Sequence, residues 1–337
     1  MNVLGIETSC DETSVALLSD DNLKANLISS QDFHSKYGGV VPELSSRAHL
    51  QLIKPLVDEA LSKAQVELSG LDLIAATAGP GLIGALLVGL TFAKGLAFSL
   101  NVPFIAVNHI EGHIFSGFLM KDKPEFPFLA LVVSGGHTLL LYVKDVINIV
   151  QLGTTVDDAA GEAFDKVSKM LGFGYPGGPK IQQSAYKGDE QKISFPVAKL
   201  NNKYNFSFSG LKTAVLRYIQ KNYSNGSKIP ESEINDISAS FQKAAVDALI
   251  INTETALINY DVKSISLVGG VAANSRLRDE MLILSKKYGK RIVIPDQEFC
   301  GDNAAMIALR GKFLFEIGRQ DKLNVNPYPS LVEGYFQ

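Results

Sequence analysis

The sequence has few features of a secreted or strongly charged protein. Its 337 residues include two cysteines, Cys10 and Cys300, which are too few for a disulfide framework. The N-terminus lacks the basic stretch and apolar run of a secretory signal. Lysine and arginine (32) nearly balance aspartate and glutamate (35), so the chain has no global attraction for nucleic acid. These absences favour a cytoplasmic protein in which an RNA partner would need a local basic patch.

One apolar run, GLIGALLVGLTFAKGLAFSL at residues 81–100, has nearly the length of a membrane span. The run contains Lys94 and four glycines, and apolar segments flank it on both sides. These features favour a helix buried between strands of an α/β lobe. No membrane partner is predicted.

Two segments share one plan of apolar strand, small polar turn and second apolar strand. They are NVLGIETSCDETSVALLSDD near the N-terminus and FLALVVSGGHTLLLYVKD at residues 128–145. A repeat at this distance indicates two related α/β lobes rather than a solenoid. We predict lobes at residues 1–125 and 126–337, with a final helix from about residue 302 that can pack back across the cleft between them.

Strands and helices alternate after the first hairpin, and helices dominate after the second. The predicted strands lie at 71–77 and 102–107, and the predicted helices at 45–63, 81–100, 157–171 and 231–259. The segment KSISLVGGVAANSRLRDEM indicates a buried strand that runs through Gly-Gly into a helix, a junction suited to a nucleotide. Residues 221–232 form the predicted mobile loop.

The segment VNHIEGHIFSGF sets His109 and His113 four residues apart, about 40° around a helix and close enough to share a metal ion. A zinc-protease helix has its general-base glutamate directly after the first histidine. Here Glu111 follows His109 by two residues, which turns its side chain away from any shared ion. The pair is therefore either a metal pair without a protease base or two surface histidines.

Carboxylates in two other segments can complete such a site. In EFCGDNAAMIALRG, Asp302 is either the N-cap of a helix or a ligand to an ion held by the histidines. A His-His-Asp set suits iron or zinc, and Cys300 is a softer competing ligand. In the first turn, TSCDETS, Asp11 and Glu12 suit a metal–water network or a general base, or else are solvated turn acids.

Glycine-rich turns elsewhere can bring backbone N–H groups close to a phosphate. VVSGGH ends a strand in two glycines and is either such a turn or an ordinary tight hairpin. In LVGGVAAN, Asn274 can cap a helix or bond a ribose or base. YPGGP, at residues 175–179, permits close approach of a ligand, and Asp165 in GEAFDK lies on a predicted helix where a surface role is the alternative.

Seven motifs together resemble those of one family. In chain order they are GIETSCDETS, NHIEGHIFSGF, LVVSGGHT, DDAAGEAFDKVSKMLGFGYPGGP, FSFSGLKTAV, GGVAANSRLR and CGDNAAMIA. With them the chain resembles the TsaD family, once called glycoprotease, over residues 3–318. The resemblance implies a two-lobed α/β fold similar to actin, sugar kinases and Hsp70 ATPases (the ASKHA fold), in agreement with the doubled hairpin.

The resemblance implies a metal-dependent transferase. It would move the threonylcarbamoyl group from threonylcarbamoyl-AMP to the exocyclic amine of the adenosine 3′ of the anticodon, in tRNAs that read codons starting with adenine. By motif, one divalent transition metal, with iron expected before zinc, would be held by His109, His113 and Asp302. The substrate-binding positions would be Val132, Val133, Ser134, Gly135, Gly136, Asp165, Gly178 and Asn274. The catalytic residue is unassigned, with Asp11 as a candidate base.

The resemblance also implies partners: tRNA, an inactive paralogue (TsaB-like) and a small P-loop ATPase (TsaE-like). The densest basic cluster, in SKKYGKRIV, is a candidate tRNA surface or a solvated helix end, and a second set of lysines is the alternative surface. The two sets are Lys286, Lys287, Lys290 and Arg291, and Lys199, Lys203 and Lys212. One position departs from the family: Gln182 stands where many relatives have a carboxylate, which puts one adenylate contact in doubt.

Two other functions fit parts of the sequence. An ATP-dependent small-molecule kinase of the same fold would use the same hairpins and the same adenosine-side junction. Kinases hold Mg²⁺ through carboxylates and phosphates, so the imidazole pair disfavours that alternative. A non-catalytic nucleotide-binding scaffold would have no need of the histidine pair.

Overall fold

The computed structural model of the chain describes residues 1–223, 228–332 and 334–336. The chain forms two compact units. Unit 1 contains Met1–Lys123 and Pro295–Tyr335, and unit 2 contains Pro124–Ile294 with Phe336. The loop predicted at 221–232 lies in part, at 224–227, outside the described residues.

A five-stranded mixed sheet forms the centre of unit 1, in the order β3-β2-β1-β4-β5. Its strands are β1 Asn2–Glu7, β2 Glu12–Ser19, β3 Asn22–Ser30, β4 Leu73–Gly79 and β5 Phe104–Asn108. The first three strands are antiparallel, whereas β4 runs parallel to β1 and β5 runs parallel to β4. The carboxyl ends of β1, β4 and β5 therefore lie at one edge of the sheet.

Helices cover both faces of this sheet. They are α1 Pro42–Ala64, α2 Ile83–Leu100, α3 His109–Phe115, α9 Gln297–Cys300 and α10 Ala304–Glu316. Alternate residues of each strand point to opposite faces, so Leu4 and Ile6 join a core with α1 and α2, while Val3 joins a core with α10.

Helix α10 lies against the backbone of β1. A β-carbon at Gly5 would lie 2.4 Å from the Ala304 carbonyl oxygen, so this close approach requires glycine. The predicted second lobe contained residues 126–337, with a final helix from about residue 302 that could pack back across the cleft. Residues 295–335 belong to unit 1 because α10 buries its apolar side chains on that sheet.

The sheet of unit 2 repeats the plan of unit 1, in the order β10-β9-β6-β7-β8. Its strands are β6 Phe128–Val133, β7 Thr138–Val143, β8 Ile149–Thr154, β9 Ser264–Val268 and β10 Arg291–Val293. The first three in chain order are antiparallel, and β9 and β10 run parallel to β6. This repetition agrees with the doubled hairpin in the sequence.

Five α-helices complete unit 2 among the residues that the structure describes. They are α4 Ala160–Met170, α5 Gly177–Ala185, α6 Ser209–Asn222, α7 Glu231–Asn259 and α8 Ser275–Lys287. Helix α4 packs on α5 and α6, and α5 packs on α7. The rings of Phe164 on α4 and Phe241 on α7 meet 5.0 Å apart, so α4 is fixed to the longest helix of the unit.

Helix α2 coincides with the long apolar run. Among the described residues it is the one helix whose length and hydropathy would allow it to cross a membrane, and 33% of its residues are buried. The expectation of a buried helix holds for one face, where Leu86 and Leu90 contact the core. The other face leaves Leu87 and Phe98 exposed.

Candidate metal centre and nucleotide-binding turns

Helix α3 carries both histidines of the predicted metal pair. It begins directly after β5, and the Asn108 side chain caps it by accepting a hydrogen bond from the Glu111 N–H at 3.1 Å. The two imidazole rings meet edge to face with 4.7 Å between their centroids. His109 is 6% exposed and His113 is fully buried, so they are not a solvated surface pair.

Asp302 lies beside both imidazoles although it is 189 residues from His113 in the chain. Its Oδ1 is 3.0 Å from His113 Nε2 and 3.4 Å from His109 Nε2. The neighbouring residue, Asn303, caps α10 by accepting a hydrogen bond from the Met306 N–H at 3.1 Å. Because Asn303 is the cap, the Asp302 carboxylate is available to the histidines.

Glu7, at the end of β1, orients His109 from the other side. Its Oε2 is 3.1 Å from His109 Nδ1 and also accepts the Thr77 hydroxyl at 2.5 Å. Its Oε1 accepts the Ser9 N–H at 2.5 Å. A carboxylate on one ring nitrogen fixes the orientation of the imidazole and directs the other nitrogen, Nε2, toward the ion position.

The buried charges of this cluster depend on one another. Burial would lower the pKa of His109, but the Asp302 and Glu7 carboxylates hold it well above the ordinary value. Burial opposes ionisation of Asp302, yet the two imidazoles hold its pKa well below the ordinary value. His109 likewise lowers the pKa of Glu7 against the effect of burial. The carboxylates therefore stabilise positive charge at the centre of the cluster.

These residues fit a divalent transition metal. One ligand atom each from His109, His113 and Asp302 lies within 4.8 Å of the others. The Nδ1 atom of His113 is buried and has no hydrogen-bond partner among the described residues. Two imidazoles and one carboxylate form a donor set for iron or zinc that leaves positions open for other ligands.

Three other candidate residues of unit 1, Asp11, Glu12 and Cys300, are not among the grouped metal ligands. Burial, together with the Asp302 and Asp11 carboxylates, raises the pKa of Glu12 to about 9. Asp11 precedes it in the turn between β1 and β2 and is half-buried. The Cys300 thiol contacts the Pro295 carbonyl oxygen at 3.4 Å and is not among the three grouped ligands.

In unit 2, the glycine turn follows β6 directly. The Ser134 N–H donates to the His137 carbonyl at 2.8 Å, and the His137 N–H donates to Ser134 Oγ at 3.1 Å, which closes the turn. Gly135 and Gly136 are exposed, with no atom within 4 Å of an added β-carbon. Val132 and Val133 are fully buried in β6, which pairs with β7 on one side and β9 on the other, so these two residues support the turn from below.

Asn274 follows β9, which pairs with β6, after a one-turn 3-10 helix at Gly270–Ala273. It caps α8, since its Oδ1 accepts the Leu277 N–H at 3.0 Å. Its Nδ2 donates to Gln242 Oε1 at 2.8 Å. Asn274 is therefore a helix cap whose amide retains one N–H and one lone pair, and its role in binding a ligand stays a prediction.

Asp165 and Gly178 lie next to each other through the start of α5. Asp165 Oδ1 accepts the Gly177 N–H at 2.7 Å, so α4 and α5 are joined at this point. Gly178 has open space at its β-carbon position. The Gly161 N–H of α4 donates to the Ser134 carbonyl at 3.3 Å, which holds α4 against the glycine turn. All the predicted substrate-binding positions therefore belong to unit 2.

The sequence matches one family along most of its length. The family described as TsaD, tRNA N6-adenosine threonylcarbamoyltransferase, matches residues 22–309. A relative of that name from Thermosipho africanus (strain TCF52B) is 51% identical over 333 residues, 98% of this chain and 99% of the relative. Another, from Carboxydothermus hydrogenoformans, is 52% identical over 335 residues, 98% of each chain.

The chain belongs to the tRNA N6-adenosine threonylcarbamoyltransferase family. This confirms the resemblance inferred from the seven motifs, and the kinase alternative is not favoured. The family was once called glycoprotease. Glu111 does not follow His109 directly, as the general base of a zinc protease would, so its position gives no support to a protease activity.

Solved structures agree on the fold. HypF from T. kodakarensis aligns with 94% of this chain and 48% of its own length, at a TM-score of 0.64 and 15% identity. Component A of the (R)-2-hydroxyglutaryl-CoA dehydratase of Acidaminococcus fermentans aligns with 93% of this chain and 99% of its own, at a TM-score of 0.52 and 16% identity. The chain has the actin-like ASKHA fold that the sequence predicted, and these likenesses concern the fold alone.

Sequence reasoning missed two residues of this family member's candidate sites. Glu7 was overlooked although a carboxylate at the end of an otherwise apolar strand was the available signal. Gln242 lies inside α7 and gave no signal, because its contact with Asn274 is set by tertiary packing. Gln182, the departure from the family, accepts the Ser275 N–H at 2.8 Å and so holds the start of α8 without a charge.

Proposed function

We propose that this chain is a metal-dependent transferase that moves the threonylcarbamoyl group of threonylcarbamoyl-AMP to N6 of the adenosine 3′ of the anticodon, in tRNAs reading codons that begin with adenine. The observation that carries the proposal is the meeting of His109, His113 and Asp302 in a member of this family. A small-molecule kinase would have no need of that buried donor set.

The metal would be held by Nε2 of the two histidines and the Asp302 carboxylate, with Glu7 orienting His109. Iron is the expected ion and zinc the alternative, because both accept imidazole and carboxylate ligands. When bound, such an ion supplies a Lewis acid that polarises a carbonyl oxygen and orients the group that carries it.

The adenylate would be bound by unit 2. The backbone of the exposed residues Gly135 and Gly136 suits its phosphate, because nothing occupies the space that side chains would fill there. Asn274 offers its remaining amide N–H to the ribose or base. Asp165 and Gly178 would contribute at the neighbouring start of α5, and Val132, Val133 and Ser134 would hold the turn in place.

The reaction balances without a further reactant. N6 of the adenosine attacks the carbamoyl carbon, a carbon–nitrogen bond forms, and the bond from that carbon to the phosphate oxygen breaks. AMP leaves with the electron pair, and N6 loses a proton. Asp11 remains the candidate acceptor of that proton.

We also propose that the chain works in the cytoplasm with tRNA, an inactive paralogue (TsaB-like) and a small P-loop ATPase (TsaE-like). Support for the paralogue comes from an apolar groove of about 600 Å³ between α1 and α2. Its lining includes Leu50, 69% exposed, and Leu87, 48% exposed. An exposed apolar face of this kind is typical of a protein interface.

The test is reconstitution of the full chain with both partner proteins, unmodified tRNA and threonylcarbamoyl-AMP. We expect threonylcarbamoyladenosine in the tRNA and one AMP per modified residue. Chelation should stop the reaction, and His34→Gln, which alters another buried histidine of unit 1, should not abolish it. Phosphorylation of a small molecule by ATP, with no modified tRNA, would refute the proposal and favour the kinase.

A further inference from the structure

Glu111 lies between the two candidate metal ligands in sequence and is turned away from them in space. Its Oε2 accepts hydrogen bonds from Nε and Nη2 of Arg310 at 2.7 and 2.6 Å. Its Oε1 accepts the Tyr335 hydroxyl at 2.8 Å. A buried carboxylate with both oxygens engaged in this way is an anchor for the helix rather than an acceptor of substrate protons.

Arg310 contacts α3 at two positions one helical turn apart. In addition to Glu111, its guanidinium lies over the Phe115 ring, 4.1 Å from the centroid. Arg310 is 2% exposed, so its charge depends on Glu111 for compensation. Residues 111 and 115 lie about 200° around the helix from 109 and 113, so Arg310 holds the side of α3 opposite the histidines.

Helix α10 connects Arg310 to Asp302. The helix starts two residues after Asp302, and Arg310 lies less than two turns further, roughly 10 Å along the axis. Helix α3 has seven residues and is too short to be stable without tertiary contacts. A β-carbon at Gly112 would lie 2.9 Å from Ile307 Cδ1, so the two helices touch directly. Their relative position sets the distance between Asp302 and the histidines.

The C-terminal segment holds the same short helix from a third direction. Besides the Tyr335 contact with Glu111, the Tyr328 hydroxyl accepts a hydrogen bond from Asn108 Nδ2 at 3.0 Å. Asn108 is the N-cap of α3. The Tyr328 N–H donates to the Ala78 carbonyl at 3.0 Å, which fixes this segment to β4.

We propose that Glu111, Arg310 and Tyr335 form a clamp that fixes α3 against α10 and thereby sets the affinity of the metal site. These three are positioning residues, since none of them offers an atom to the ion. The inference rests on the metal site of the proposed function. It assigns the glutamate of the HIEGH segment a purpose other than catalysis and gives the C-terminal tyrosine a part in metal binding.

The test compares Zn²⁺ affinity of the purified full chain, measured against a chromogenic chelator, with the unfolding temperature of the metal-free chain. Arg310→Met removes the guanidinium, and Tyr335→Phe removes one hydroxyl. We expect the affinity to fall about 10- to 100-fold in Arg310→Met and up to about 10-fold in Tyr335→Phe. A purely structural role would lower the unfolding temperature and leave the affinity unchanged.

Lys312→Met is the matched control. Lys312 is another nearly buried cation of α10, but its partners are Asp21 and Glu316 rather than α3. The control should lower the unfolding temperature at most. Equal loss of affinity in Lys312→Met would contradict the clamp, as would unchanged affinity in Tyr335→Phe and Arg310→Met.

If Arg310→Met did not fold, the Zn²⁺ affinity of Tyr335→Phe would test the clamp, because that substitution deletes a single oxygen atom. The two proposals also fail in different ways. An unaltered chain that bound no Zn²⁺ would contradict the metal site and the clamp with it. Tight binding by the unaltered chain and by every variant would contradict the clamp alone.

Discussion

Each unit has its candidate site beside the turn that follows its first strand, at residues 8–11 in unit 1 and 134–137 in unit 2. The turn of unit 1 is enclosed: the Ser9 carbonyl accepts the Leu82 N–H at 2.7 Å, and the Cys10 carbonyl lies 3.0 Å from His49 Nε2. The turn of unit 2 is closed by Ser134 and His137, and its two glycines face open space.

The enclosed turn of unit 1 and the open turn of unit 2 give the same repeated fold two different kinds of candidate site. In unit 1, ionisable side chains from distant segments meet in a buried cluster that favours a cation. In unit 2, backbone N–H groups and one amide side chain remain available, which favours an anion and polar groups. The repeated hairpin therefore supplies a common scaffold. The residues that distinguish the candidate sites come in unit 1 from α3 and the segment before α10, and in unit 2 from the turn itself and from Asn274.

The largest expected effect separates the two sites by ligand. Combined substitution of His109→Ala and His113→Ala should reduce the metal content of the chain from one ion to background, while AMP affinity remains. Asn274→Ala should retain the metal and weaken AMP binding by about 1–3 kcal/mol. Elemental analysis and calorimetry measure the two quantities. Stoichiometric metal in the double variant would show that the ligands were assigned wrongly.

A second effect compares two glycines of unit 2. Gly269 has φ +93°, and an added β-carbon would lie 2.4 Å from the Val133 carbonyl oxygen. Gly269→Ala should lower the free energy of unfolding by about 2–4 kcal/mol. Gly135→Ala should change it by less than about 0.5 kcal/mol and weaken AMP binding about 10-fold. Urea unfolding measures the first quantity and AMP titration the second. Unchanged AMP affinity in Gly135→Ala would show that this turn does not bind the phosphate.

The sequence predicted those parts of the structure that depend on local pattern. Helix α7 was predicted at residues 231–259, the bounds that it has in the structure. Strand β3, helix α6 and the three-residue β10 were missed. The burial of β3 alternates irregularly and β10 is very short, so neither gave a clear periodic signal.

In the candidate site, too, the sequence predicted local features but not contacts between distant segments. The spacing of the histidines indicated a shared ion, but sequence left Asp302 with two possible roles. In the structure Asn303 takes the cap, and α10 packs on β1 so that the Asp302 carboxylate reaches the imidazoles, whereas its role as a metal ligand stays a prediction. The pairing of Glu7 with His109 spans 102 residues and follows from strand order, which no local motif encodes.

A third effect concerns the imidazole behind the turn of unit 1. His49 is fully buried, and Thr13 Oγ1 lies 2.8 Å from its Nδ1. Burial lowers the pKa of His49 below its ordinary value of 6.5. The unfolded chain therefore takes up the proton first, so stability is full above about pH 6.5 and falls as the pH drops toward the folded-state pKa.

His49→Gln should remove this part of the pH dependence. The measurement is the urea unfolding free energy of both chains from pH 7.5 to 5.5. We expect the unaltered chain to lose more stability over this range than the variant. If the unfolding free energy fell equally in the two chains, the pKa of His49 would be the same in the folded and unfolded states. Burial behind the turn of unit 1 would then have no effect on the pH dependence of stability.

The smallest effect concerns the exposed surface of unit 2, where tRNA is expected to bind. The basic cluster predicted at the end of α8 is largely neutralised, because three of its four cations have acidic partners: Lys287 with Glu254 at 2.6 Å, Lys290 with Asp261 at 3.2 Å and Arg291 with Glu125 at 3.3 Å. Among the alternative lysines, Lys212 pairs with Asp158 at 2.5 Å. These pairs reduce the charge that either surface offers to phosphate.

A groove of about 320 Å³ on α6 combines charge with aromatic rings. Arg217 and Lys221 line it and have no acidic partner among the described residues, and the rings of Phe195 and Tyr218 meet there 6.1 Å apart. Cations and aromatic rings together suit unpaired RNA bases and their phosphates.

Replacing Arg217 and Lys221 with glutamine should weaken tRNA binding and flatten its dependence on salt, by about one unit of slope for each cation that no longer neutralises a phosphate. The matched variant, with Lys287 and Lys290 changed to glutamine, should alter the slope less, because those cations already have carboxylate partners. Binding of unmodified tRNA is measured from 50 to 200 mM salt, a range that resolves such slopes. The reverse order of effects would return the tRNA surface to the end of α8 and leave the α6 groove as an ordinary solvated face.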